Sequence, residues 1–204
     1  MTSPVALSVP TSTPKEQWGW RVRKVGGFIQ LAFAAFWLVR GGLTLGGVAG
    51  SLVLAFAFIG FVIVNAYGVR VTAGKGHRPT GTEAKRIEKS VNIATIAELL
   101  ASVALPFVVI AAGRSDWVLP SIAITVGPLL LWLDHLVDIP RLRYVGWALT
   151  VGPIVLVIAL SGDPLAATTG IAAGLLLLGS AAAGFHDLTA APKSDDHGTL
   201  DVVL

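Results

Sequence analysis

The chain has 204 residues, 54% hydrophobic and 13% charged, with a formal net charge of +3 and no cysteine. Soluble domains carry about 25% charged residues, so this balance excludes an ordinary soluble enzyme and fits a polytopic membrane protein. The missing cysteines exclude disulfides, thiolate metal sites and cysteine nucleophiles. The pI near 9.5 is no sign of nucleic-acid binding, because Lys and Arg fall between apolar runs, where they set membrane orientation.

The chain opens on MTSPVALSVPTSTPKEQ, rich in Ser, Thr and Pro. It lacks the basic segment and apolar core of a signal peptide. Residues 1–24 therefore read as a disordered cytoplasmic arm ending in a basic juxtamembrane segment. A transmembrane domain over 25–188 follows. Its six apolar runs lie near Gly27–Leu45, Val48–Tyr67, Val91–Ala112, Trp117–Ile139, Tyr144–Leu160 and Leu165–Asp187. A helical span takes about 20 such residues. Gly46-Gly47 marks a tight turn, and SGDP (Ser161–Pro164) another.

The connection Thr72–Ser90 is long and basic. Its GKGHRPTG has a faint look of a phosphate-cradling stretch, but it lacks the strand and glycine spacing of a P-loop, so it reads as a solvated loop. The following EAKRIEKS reads as a short surface helix. Residues 189–204 form a cytoplasmic tail like the arm. Nearly all Lys and Arg fall on one side of the spans. The positive-inside rule then puts both termini in the cytoplasm, in an all-α, six-helix bundle of the bacterial cytoplasmic membrane. Trp18, Trp20, Tyr67, Trp117, Tyr144 and Trp147, near span ends, suit an interfacial belt.

Ionisable groups inside a bilayer cost about 2.5–3.5 kcal/mol for Asp at a helix centre, and they mark function by default. Glu98 is seven residues into the third run. In LLLWLDHLVDIPRLRYVGW (Leu129–Trp147), Asp134, His135 and Asp138 share one side of a helix, at i, i+4 and i, i+3 spacing. The same side passes through Leu131 and Gly127, which leaves room, and Pro128 beside it permits a kink. Thr95, Glu98 and Ser102 form a matching stripe. Gln30, Asn65, Asn92, Tyr144, His186 and Asp187 add polar groups toward the same end. Phe33, Phe36, Trp37, Phe58, Phe107 and Trp132 lie above them.

Together these predict a pocket with an aromatic ceiling and acids at its cytoplasmic mouth. The catalytic candidates are Glu98, Asp134, His135 and Asp138. The substrate-binding candidates are Trp37, Phe33, Phe107, Trp132, Asn65 and Tyr144. Simpler roles stand beside these. Asp138 and Asp187 suit span ends, His135 an interface, Arg40 a snorkelling side chain, and Asp134 an ion pair with Arg141 or Arg143. No metal or other cofactor is expected, since there is no Cys and no His pair at helical spacing.

A carboxyl group in apolar surroundings can hold a proton and deliver it to an alkene or epoxide. Aromatic faces then stabilise the carbocation. The other route, ionising a diphosphate, needs an Asp-rich metal motif. DDHGTLD (Asp195–Asp201) has Thr199 where that motif requires Asp. Buried acids also build proton relays, so a proton-coupled small-molecule transporter is the alternative, and an accessory subunit of a membrane complex a further one.

AELLA (Ala97–Ala101), RSDWVLP (Arg114–Pro120) and HLVDIPRLRYVG (His135–Gly146) resemble a family of small bacterial six-span membrane proteins. In size, span count and paired intramembrane acids the chain is also similar to small membrane-bound terpene cyclases of indole-sesquiterpenoid and meroterpenoid pathways. Fungal members of that class have seven spans. The resemblance implies cyclisation of a lipophilic isoprenoid taken from the lipid bilayer, with Glu98 as the acid and the Asp134–His135 region opposite.

Overall fold

The computed structural model describes residues 14–73 and 82–190. Among them the chain is helical without a strand, and six helices are long and apolar enough to cross a membrane. In lipid no water can satisfy backbone groups, so spans this apolar must close their own hydrogen bonds as helices. The GKGHRPTG loop, most of the tail with DDHGTLD, and the first part of the expected arm lie outside the described residues.

The expected disordered arm is corrected at its second half. Helix α1 (Pro14–Arg21) passes through one π turn (Val22–Gly26) into α2 (Gly27–Leu45). Trp18 is buried in one cluster with Ala84 and Ile87, which is what anchors the segment. Helix α3 (Gly47–Thr72) returns after a turn in which Gly46 and Gly47 have φ of 65° and 57°. That left-handed region costs other residues about 1–2 kcal/mol. Helix α4 (Thr82–Ala111) absorbs EAKRIEKS, which continues the span without a break and forms no separate surface helix.

A 3₁₀ turn (Ser115–Trp117) leads into α5 (Val118–Val137). Helices α6 (Pro140–Ala159) and α7 (Gly162–Ala190) complete the chain. Asp116 ties two turns together at this end. It pairs with Arg114 at 3.3 Å and accepts the Gly162 N–H at 3.2 Å.

Small residues set the packing, since lipid supplies no hydrophobic force between helices. Helices α2 and α7 cross at Gly41 and Gly170. A Cβ on Gly170 would stand 2.8 Å from the Gly41 Cα. Helices α5 and α6 cross at Gly127 and Gly146. There a Cβ on Gly127 would collide with the Thr150 hydroxyl. Phe185 of α7 is fully buried in the room left by Gly27 and Gly68. Helix α3 leans on α2 and α7, while α4 leans on α5. Phe58, Ile63, Leu99, Leu100 and Phe107 are among the apolar side chains left facing outward, as a lipid boundary requires.

Candidate functional site

The Leu129–Trp147 stretch resolves into a helix stop, an ion pair and a surface histidine. Asp138 ends α5 in the left-handed conformation, φ 52°, with its N–H bonded to the Asp134 carbonyl at 2.7 Å. Asp tolerates that conformation better than most residues. Ile139 is extended, as a residue before proline should be, and Pro140 opens α6 where its missing N–H costs nothing. Asp138 is exposed and caps a helix, the span-end position that stood beside its expected acid role.

Asp134 is buried, and its Oδ2 accepts the Arg143 Nε at 2.8 Å. Arg143 reaches in from the surface, its side chain 56% exposed. The arrangement clamps α5 to α6 across their turn. A buried carboxylate left unpaired is strongly destabilising, and the guanidinium offsets that cost at Oδ2, while Oδ1 is buried without a hydrogen-bond partner. His135 is exposed and stands beside Trp132, ring centroids 6.2 Å apart.

Glu98 differs from both aspartates. It is half-buried on α4, and its Oε1 accepts the Ser102 hydroxyl at 2.8 Å. Ser102 Oγ also lies 2.6 Å from Thr125 Oγ1 on α5, where either hydroxyl can donate, and Thr125 Oγ1 lies 2.8 Å from the Ile122 carbonyl oxygen; with one proton on each hydroxyl, Thr125 donates either to Ser102 or to Ile122 while Ser102 donates to Glu98. Carboxyl and hydroxyls thus form a chain that bridges α4 to α5. No Lys or Arg pairs with Glu98 among the described residues. With Ser102 and Thr125 at one level, helical rise puts Glu98 about 7 Å deeper than Asp134. The two acids therefore occupy different layers with different partners, and the expected Glu98–Asp134 acid–base unit is corrected to two separate features.

Toward the basic end from Glu98, a groove of about 310 Å³ lies between α4 and α5. Ser90, Ile93, Ala94 and Trp132 line it. Ser90, Ala94, Glu98 and Ser102 follow one another at i, i+4, so the acid is the next residue beyond the groove on the same face of α4. Among the described residues it is open at the side and is no closed pocket.

The aromatic ceiling is corrected accordingly. Trp37 is buried in the core, 1% exposed. Phe33, Phe107 and Tyr144 face outward, Tyr144 at 74%. Trp132, half-exposed, is the expected aromatic that lines the groove. Asn65 is half-buried on α3, away from the α4–α5 pair. Thr125, Ser90 and Ala94 were not singled out in the sequence. The signal for Thr125 was a lone hydroxyl in an apolar run. Among the described residues no three His, Cys, Asp or Glu side chains converge as a metal site would require.

Fold and site together define a multi-pass α-helical membrane protein with a hydroxyl-bound carboxyl at depth between two of its spans. Neither protein-family models nor curated proteins nor solved structures give a match to the chain.

Proposed function

We propose that this protein is an integral-membrane terpene cyclase of the bacterial cytoplasmic membrane, initiating by protonation. Glu98 delivers a proton to an alkene or epoxide of an isoprenoid substrate. The observation that carries this reading is Glu98 itself. It lies one helical turn along α4 from Ala94, which lines a lipid-side groove, and it is held by the Ser102 hydroxyl and bound by no cation among the described residues. An acid engaged by Arg or Lys cannot present a proton; one held by hydroxyls can.

A lipophilic substrate enters sideways from the bilayer, so no aqueous tunnel is required. The Glu98 O–H bond breaks as the alkene π pair forms a C–H bond. A second alkene attacks the cation and closes a C–C bond. The Trp132 face stabilises the passing charge. Loss of a proton to the Glu98 carboxylate, or to His135 beside Trp132, ends the reaction. Product and substrate are isomers. Asp134 and Arg143 position α5 against α6 and take no part in proton transfer.

The test is incubation of purified protein with prenylated aromatic compounds, followed by a search for cyclised isomers of unchanged mass. Glu98→Gln keeps shape but has no transferable proton, so it should lose activity by about 10²-fold or more. Uptake into proteoliposomes driven by a pH gradient, with no isomer formed, would favour the proton-coupled transporter instead. The accessory-subunit reading draws on α4, whose apolar window holds no buried residue and whose main neighbour among the described residues is α5. Co-purification of a second membrane protein bound along α4 would support it.

A further inference from the structure

Helices α6 and α7 leave between them a cavity of about 240 Å³, separate from the groove beside Glu98. Leu149, Gly152 and Pro153 of α6 and Thr169, Ala172 and Leu176 of α7 are among the residues that line it, and none of its lining is charged. Small residues make the room: a Cβ added at Gly152 would meet nothing within 4 Å. Leu176 is 38% exposed, so the cavity reaches the lipid-facing surface there. A dry apolar cavity of about 150 Å³ already takes up a molecule the size of benzene.

Two polar groups at this cavity lack partners. Thr169 is 1% exposed, and its hydroxyl oxygen is buried with no hydrogen bond among the described residues. Thr44, Thr72 and Thr150 each donate instead to the carbonyl four residues back, the usual resort of a helical threonine. On α6, Pro153 has no N–H to give to the Leu149 carbonyl, its i−4 partner. Leu149, Gly152 and Pro153 share one face of α6, so this break in the backbone ladder lies on the cavity side. Helical rise puts Leu149 about 15 Å and Thr169 about 10 Å from the ends of α6 and α7 that meet at Gly162, and the Leu149 carbonyl points toward that end. The two groups therefore sit at nearly one depth. Unpaired polar groups are costly there, because lipid offers water to neither.

We propose that the α6–α7 cavity is a binding site for a lipophilic alcohol, an aliphatic chain carrying one hydroxyl. A hydroxyl both donates and accepts, so it can donate to the Leu149 carbonyl and accept from the Thr169 hydroxyl. Two χ1 rotamers are open to a helical threonine, which lets that hydroxyl turn to a group seated beside it. A ketone or an ether only accepts and would leave the Leu149 carbonyl bare. A charged head group finds no counter-ion in this lining. A water molecule would find two partners, where buried water makes about three hydrogen bonds. The cavity runs along about two turns of each helix, which is room for a chain entering from the bilayer past Leu176.

The site is apart from Glu98, the proposal does not rest on the cyclase reading, and its test reads no catalysis. The probe is decanol carrying a photoreactive diazirine, with decane and decyl methyl ether carrying the same group as controls. The full chain in phosphatidylcholine nanodiscs is irradiated with each, and the labelled residues are mapped by mass spectrometry. The decanol probe should label residues 148–156 and 169–176 more strongly than either control does, and unlabelled decanol should compete. Thr169→Val keeps the shape and loses the hydroxyl. It should weaken competition by decanol by about fivefold, the scale of one hydrogen bond, and it should raise the melting temperature of the alcohol-free protein, because an unpaired buried hydroxyl is gone. Gly152→Leu fills the cavity from a position with open space beside it, and should abolish labelling of both segments in a protein that still folds. The site does not exist if decanol labels these segments no more strongly than decane does, or if either variant is labelled and competed as wild type is.

Discussion

Gly41→Ala should separate two helices that now touch backbone to backbone. Its Cβ would lie 2.8 Å from the Ile171 nitrogen and 3.0 Å from the Ala167 oxygen. Both are main-chain atoms of α7, so no rotamer can yield. Ordinary contact begins at 3.4 Å, and α2 and α7 must therefore part by about 0.6 Å. Overpacking of this kind costs about 1–3 kcal/mol. At about 2–4 °C per kcal/mol for a chain of this size, the melting temperature should fall by roughly 2–12 °C. Gly170→Ala presses on the same point from the other side, 2.8 Å from the Gly41 Cα. Once the helices have parted for one methyl they have room for the other, so the double variant should lose less than the sum of the two. Gly152 and Gly179 have nothing within 4 Å of their Cβ positions, and alanine there should shift stability by no more than about 0.5 kcal/mol. Thermal unfolding in one detergent, followed by circular dichroism, reads wild type and all five variants. Equal melting of Gly41→Ala and Gly152→Ala would refute the packing argument.

Three other perturbations probe the rest of the account. Arg143→Gln leaves the buried Asp134 carboxylate alone and should lower the melting temperature, and adding Asp134→Asn should restore most of the loss; a double variant no better than the single one would deny the pair a structural role. Asp138→Gly should keep both stability and activity, since glycine accepts a left-handed cap, whereas Asp138→Val should cost about 1–2 kcal/mol; loss of activity in a stably folded Asp138→Gly protein would return Asp138 to the chemistry. For orientation, Ser115→Cys should react with an impermeant maleimide from outside intact cells while Glu83→Cys stays unlabelled, and the reverse pattern would invert the proposed topology.

The spans were legible because lipid leaves the backbone few choices, and long apolar runs broken by Gly-Gly and SGDP can only be helices and turns. Their ends were not. Charged EAKRIEKS continues into α4 because a helix already nucleated extends cheaply, whatever its side chains prefer. Depth of Glu98 was readable from spacing. Thr125, the partner of Ser102 across the helix pair, was not, because the facing register of α4 and α5 comes from packing that a single helix does not encode. The i, i+4 pattern of Asp134 and Asp138 misled for a definite reason. It assumes the helix continues, and α5 ends at Val137. One of those acids became a cap and the other an ion pair. The aromatic ceiling failed similarly: residues at one depth on different spans need not turn toward each other, and Phe33, Phe107 and Tyr144 turn toward the outside.

The central claim, that Glu98 initiates reaction by protonating the substrate, is tested most directly by running the reaction in deuterium oxide on an alkene substrate, where the delivered proton stays on carbon. The proton that starts the cyclisation would then come from an exchanged Glu98 carboxyl. Mass spectrometry of the cyclised product from wild type should show a single deuterium on the carbon first protonated, and Glu98→Gln should yield no product above background. A cyclised product without deuterium, or one formed as fast by Glu98→Gln, would contradict the account.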